Sequence, residues 1–145
     1  MLPESIELIV VTPERLLLRE SVADVLLPGA GGCLGILPGH AALLTELGIG
    51  ELSYHGSGAK QTGSLSIVRG FAEVLPGRVT VLAETGERAE EIDLARAEAA
   101  LQRVEKRIAS QDANLDWDRA TVALQRALIR IQVARKRRGV PVSNP

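Results

Sequence analysis

The chain has 145 residues, a formal net charge of −1, a single cysteine, and 46% hydrophobic but only 2% aromatic side chains. Such totals fit one ordinary domain, or a small domain with an appendage, built on an aliphatic core. They exclude an intramolecular disulfide framework and a cysteine-based metal cluster, and they leave little for stacking on bases or sugar rings.

The opening stretch MLPESIELIVV places Glu4 and Glu7 where a signal peptide would be basic. No run approaches the ~20 apolar residues of a membrane span. The expectation is a soluble intracellular chain that can dock on a membrane assembly without crossing the bilayer. Residues 1–86 then follow the grammar of a β domain. Thirteen of the 14 glycines lie at or before Gly86, and no proline occurs between Gly77 and Pro141. Pro28-Gly29, Pro38-Gly39 and Pro76-Gly77 mark turns, because proline presets φ and glycine accepts positive φ. Between turns, SIELIVVT, VADVLLP, ELSYH, LSIVRGF, AEVLP and RVTVLAE read as separate strands. In ELSYH, Leu52 and Tyr54 share one face; in RVTVLAE, Val79, Val81 and Ala83 do. Short strands punctuated by turns predict an all-β sandwich or barrel.

Residues 87–92 read as a linker, and from Asp93 the apolar period becomes helical. Leu94, Ala97, Leu101, Val104 and Ile108 form one stripe, with Asp93 as N-cap and Glu90 and Glu91 beside the positive helix end. SQDANLD supplies a turn, with Asp116 or Asp112 capping a second helix whose buried stripe is expected to be Trp117, Ala120, Leu124, Leu128 and Ile131. Gly139 and Pro141 stop it. The prediction is an antiparallel two-helix hairpin over residues 93–138, followed by a disordered tail at 139–145. A hairpin with one apolar stripe per helix depends on what it lies against.

Charge divides at the same boundary. Residues 1–92 hold 6 basic and 12 acidic side chains, residues 93–145 hold 11 and 6. On the second helix Arg119, Arg126, Arg130 and Arg137 fall within about 20° of one line, well away from the apolar stripe. Arg96, Arg103 and Arg107 share a face of the first helix. A solvating helix normally mixes signs to gain i, i+4 pairs, whereas the second helix has no acid after Asp118. Nucleic acid is disfavoured by the missing aromatics, the acidic balance and the lack of a known module. A membrane-surface helix would carry bulkier apolar residues than these alanines. Two counter-charges stay open: an acidic protein surface, or a polyphosphate between the two arginine faces, both suited to the guanidinium fork.

No catalytic residue and no metal ligand is assigned. His40 and His55 belong to no metal-binding spacing, and no G-x-S-x-G elbow frames a serine. PGAGGCLG lacks the Lys-Ser/Thr of a P-loop and leads into no helix, so it reads as a flexible or closely packed loop.

The blocks VTPERLLL, LPGAGGCLGILPGHAALLTELGIGELSY, GFAEVLPGRVTVLAET and EEIDLARAEAALQR resemble the epsilon subunit family of bacterial F-type ATP synthase, over residues 5 to about 138. The resemblance implies an N-terminal sandwich of about ten strands and a C-terminal helical hairpin. It implies a non-catalytic rotor subunit on the cytoplasmic face of the bacterial membrane. The β domain would dock on the gamma subunit and the c-subunit ring, with Cys33, Leu34, Gly35, Ile36, Leu37, Pro38, Gly39 and His40 as the docking segment. The hairpin would fold against the β domain, or extend along gamma into the catalytic head and oppose ATP hydrolysis. There Arg119, Arg126, Arg130 and Arg137 would meet acidic segments of the alpha and beta subunits. No cofactor is required, but some members bind ATP in the folded hairpin. That pattern falls here on Ile92, Asp93, Arg96, Arg103, Arg126 and Arg130, with Glu87 upstream. Cys33, Ala42 and Arg69 depart from the usual family residues, and Cys33 removes the acidic side chain expected toward the c ring. A stand-alone ATP-binding sensor is the runner-up.

Overall fold

The computed structural model describes residues 2–58 and 62–137, Arg137 by its backbone alone. Six strands come first: β1 (Ile6–Val11), β2 (Leu16–Gly29), β3 (Gly32–Ile36), β4 (Leu43–Gly56), β5 (Gly63–Leu75) and β6 (Arg78–Arg88). A 3-10 turn (Ala89–Glu91) leads to α1 (Leu94–Ala109) and α2 (Trp117–Arg137). The sheet order is β1-β6-β5-β4-β2-β3, and β1 also pairs with β2, so the sheet closes on itself with β3 added at one edge. All neighbours are antiparallel except β1 and β6.

The β-sandwich class holds, but six strands, four of them 11–14 residues long, replace the ten that the resemblance implied. The reason is continuity through irregular positions. LSIVRGF and AEVLP are one strand, β5, which passes through Arg69 at φ 57° and Gly70 at φ 134°. A Cβ at Gly70 would collide with the Leu82 carbonyl on β6, so glycine keeps the two strands paired across this kink. VADVLLP is likewise the second half of β2, whose register with β4 shifts twice. A 14-residue strand spans about 46 Å when extended, too long to remain flat, and these shifts let it bend around the core.

Inside lies an aliphatic core in which Leu8, Leu27, Leu52, Ile67 and Val81 are at most 1% exposed. Leu52 and Tyr54 point inward as the alternation of ELSYH requires, and so do Val79, Val81 and Ala83.

The helices begin where their caps allow. Asp93 accepts a hydrogen bond from the Arg96 amide (3.1 Å), and Asp116 accepts one from the Arg119 amide (3.1 Å). Asp112 instead fixes the intervening turn through the Asn114 amide (2.9 Å). Ala97 and Val104 of α1 meet an alanine-rich face of α2, where Ala120, Ala127 and Ile131 are buried. A second face of α2, around Ile129 and Val133, packs against Ala89 and Ile92 and covers β4 and β5. Of the stripe expected on α2, Ala120 and Ile131 are buried and Leu124 partly so, but its other two members are not. Trp117 and Leu128 are 56% and 47% exposed, because small alanines rather than bulky side chains fill the close helix–helix seam. The tail at 139–145 lies outside the described residues.

Candidate functional site

With α1 and α2 antiparallel and packed through alanines, the arginine faces on the same side of the hairpin converge. Arg96, Arg103 and Arg107 of α1 and Arg126 and Arg130 of α2 line a groove of about 970 Å³. Lys106 and Ser110 extend it, the alanines at 100, 123 and 127 and Val104 form its floor, and Glu87 at the end of β6 closes one side. Six cations thus face one carboxylate.

That carboxylate is already engaged. Arg130 places Nε 3.0 Å from one Glu87 oxygen and Nη2 3.3 Å from the other. The Nε contact is close enough for charge attraction, yet its hydrogen is poorly aligned, so a buried N–H is left without a well-formed hydrogen bond. A stronger acceptor in the groove would satisfy it. Arg96, Arg103, Arg107, Lys106 and Arg126 form no ion pair among the described residues. This is an environment for a polyanion: several guanidinium forks, desolvated only at the floor and open to solvent above.

Of the nucleotide-site residues expected from the sequence, Glu87, Arg96, Arg103, Arg126 and Arg130 come together in this groove. Ile92 and Asp93 do not line it. Ile92 is 2% exposed within the cluster that seats α2, and Asp93 spends its carboxylate on the helix cap. Lys106, Arg107 and Ser110 were outside the expected set, although Arg107 shares the azimuth of Arg96 and Arg103 and was legible as a neighbour. Arg119 lies in an adjoining cavity of about 330 Å³ at the hairpin bend, beside Asp112 and Asp116. Arg137 belongs to the last turn of α2; its side chain is outside the described residues.

The segment 33–40 starts on the edge strand β3 and runs toward β4. Cys33, Gly35 and Leu37 are exposed, Leu34 packs partly on the core, and Ile36 is a core residue at 1% exposure. Pro38 and Gly39 make the turn, Gly39 at φ 86°, and His40 donates its Nδ1–H to the Ala41 carbonyl oxygen (2.7 Å). A different surface was not foreseen. Phe71 and Leu82, paired across β5 and β6, are 53% and 55% exposed, and Val11 on β1 continues the row. Leu44, 71% exposed, lies diagonally from Phe71 on β4, where Phe71's direct partner is Glu46. Alternation placed these side chains outward but could not say whether anything covers them.

The 3-10 turn is tied to the β domain. Arg15, in the turn between β1 and β2, forks onto Glu91 at 2.8 and 2.7 Å. That fork, helped by the Arg88 amide and charge, holds the Glu91 carboxyl down at about 2. Among the described residues no group of His, Cys, Asp or Glu is arranged to hold a metal ion, and no helix is long and apolar enough to cross a membrane.

Comparison with known proteins agrees with this architecture. Residues 5–89 match the family described as ATP synthase, Delta/Epsilon chain, beta-sandwich domain, and residues 90–135 match the long alpha-helix domain of the same chain. An ATP synthase epsilon chain of Solibacter usitatus is 47% identical over 136 residues, covering 94% of this chain and 100% of that one. One from Geobacter sulfurreducens is 47% identical over 136 residues, covering 92% and 96%. Among solved structures, a chain of the Euglena gracilis mitochondrial ATP synthase OSCP/F1/c-ring assembly matches with a TM-score of 0.77 at 26% identity, over 92% of this chain and 83% of that one. A chain of the Tetrahymena thermophila mitochondrial ATP synthase central stalk and c-ring matches in fold, with a TM-score of 0.53 at 14% identity over 91% and 95%.

Proposed function

This chain belongs to the ATP synthase delta/epsilon family, and we infer from that premise that it is a central-stalk, or rotor, subunit of an F-type ATP synthase. It sits at the membrane periphery as part of the complex, and we place it on the cytoplasmic face of a bacterial membrane. We read it as non-catalytic, with carboxylates such as Asp93, Asp116 and Glu91 serving caps and an ion pair.

The β domain carries the docking role. The apolar row of Val11, Leu82 and Phe71 with Leu44 supports seating against gamma, since a contiguous exposed apolar patch on a folded domain marks an interaction site. The segment from Cys33 to His40 is the candidate contact with the c ring. Cys33 stands where the acidic side chain is expected, and Leu37, 64% exposed, makes that contact apolar here.

The hairpin is the regulatory element, and the observation that carries this reading is the convergence of both arginine faces on one groove. A triphosphate in the groove would bridge α1 and α2 and favour the folded hairpin, by binding that state better than any other. With the groove empty, repulsion among its cations favours opening. The extended α2 would then offer Arg119, Arg126, Arg130 and Arg137 to acidic segments of the alpha and beta subunits and oppose ATP hydrolysis. ATP is a regulatory ligand in this reading, not a cofactor. The test is a complex assembled with the chain truncated after Glu91. Gamma association should persist while ATP hydrolysis rises; hydrolysis equal to that of the intact complex would rule out an inhibitory hairpin. Phe71→Asp with Leu82→Asp should weaken gamma association in the same preparation.

A further inference from the structure

The register of the sheet sets up a second device, on the face that α2 covers. Glu51 on β4 pairs with Ser66 on β5, and Ser66 pairs with Glu87 on β6, so two carboxylates flank one serine in a cross-strand row. At strand spacings of about 4.8 Å, their backbones stand about 9.6 Å apart. Arg130 and Lys136 on α2 are six residues apart, a rise of about 9 Å. The two spacings match, and each cation meets one carboxylate. Arg130 takes Glu87, while the Lys136 ammonium lies 2.7 and 2.9 Å from the two Glu51 oxygens. Midway between them Val133 is fully buried and Ser66 is 3% exposed, a small side chain where the helix crosses.

The two ends of this row differ. Arg130 also lines the cationic groove, so any anion there competes with Glu87 for it. Glu51, Gln132 and Lys136 are not part of the groove. The Glu51 side chain is 9% exposed. It accepts hydrogen bonds from Ser64 Oγ (2.7 Å) and Gln132 Nε2 (2.6 Å) as well as from Lys136, so both oxygens are fully used. Burial by itself would raise its carboxyl, but these donors outweigh it and leave it lowered, which marks the charged form as the one the site is built around.

We propose that Glu51, gripping Lys136 and Gln132, is an interdomain clasp that holds the hairpin docked on the β domain whether or not the groove is filled. Losing it releases the last two turns of α2 first, because α2 rather than α1 makes the main contacts with β4 and β5. The proposal rests on the reading of the hairpin as a detachable element, but not on nucleotide binding.

The test uses the full chain without nucleotide, carrying Cys33→Ser and Ser66→Cys, and measures the rate at which the thiol under α2 reacts with a soluble reagent. This rate follows the undocked population even when that population is small. Glu51→Gln and Lys136→Gln should each raise it about tenfold, the loss expected for a charge-assisted contact. A core thiol introduced as Ala83→Cys should react at an unchanged rate, excluding loss of the β domain. The exchanged pair Glu51→Lys with Lys136→Glu should restore slow labelling. Unchanged labelling in both single variants overturns the clasp. Combining Arg130→Glu with Lys136→Glu separates the two ideas: fast labelling there, with wild-type rates in the Glu51 and Lys136 single variants, sinks the clasp alone. Slow labelling even there shows that the hairpin does not detach.

Discussion

Arg126 and Arg130 lie one turn apart on α2 and face the same groove, yet their removal should have unequal consequences. Arg126 is exposed and forms no ion pair among the described residues, so Arg126→Ala removes only a ligand contact. A charge-assisted contact of this kind contributes about 1.5 kcal/mol in an open groove, which weakens ATP binding about tenfold. Arg130 is more enclosed, with a side chain 24% exposed against 34% for Glu87, and its charge is less screened. Arg130→Ala also leaves Glu87 as an unpaired anion at the edge of the groove, facing the phosphates. Lost attraction and new repulsion together should weaken binding about a hundredfold, or about 2.8 kcal/mol. Arg126→Lys, which keeps the charge but not the fork, should fall between wild type and Arg126→Ala. Titration calorimetry with ATP on the intact chain measures all four proteins, and the losses should shrink as salt rises because the groove is open. If wild type, Arg126→Ala and Arg130→Ala bind ATP equally, the groove is not the nucleotide site. A loss at Arg126 equal to that at Arg130 would instead refute the role assigned to Glu87.

Two further outcomes follow from particular contacts. Gly70→Ala forces a Cβ into the Leu82 carbonyl at a φ of 134°, so the β domain should lose about 2–4 kcal/mol, some 10 °C or more in Tm by calorimetry; a Tm within two degrees of wild type would contradict the kink described for β5. Glu91 titrates at about 2 instead of its ordinary 4.5, so its pairing with Arg15 stabilises the folded chain above pH 4.5 and that contribution disappears as pH falls through 2. Arg15→Met should therefore lower Tm at pH 7, with the gap to wild type closing as pH falls from 4.5 toward 2, and a gap independent of pH would count against the fork.

Local chemistry made the two halves of the molecule legible without coordinates. Pro-Gly turns and two-residue alternation belong to strands, and the change to helical spacing at Asp93 belongs to helices, because each is a property of neighbouring residues. For the same reason Asp93 could be read as one cap and Asp116 or Asp112 as the other, and the azimuths of Arg96, Arg103, Arg126 and Arg130 were set by the helix period. What an azimuth meets is not local. The alanine seam between α1 and α2 decided that two arginine faces share one groove, and the same seam left Trp117 and Leu128 in solvent. The count of about ten strands came from the resemblance, and the pattern itself split β5 into LSIVRGF and AEVLP because the bend at Arg69 and Gly70 looks, in sequence, like the end of a strand. The match of Arg130 and Lys136 to Glu87 and Glu51 depends on a register between strands far apart in the chain and on the angle at which α2 crosses them. The sequence by itself therefore determined where strands give way to helices and which side chains share a face within each element. Only the tertiary structure decided which charges face one another, since partners such as Glu51 and Lys136, 85 residues apart, are brought together by packing alone.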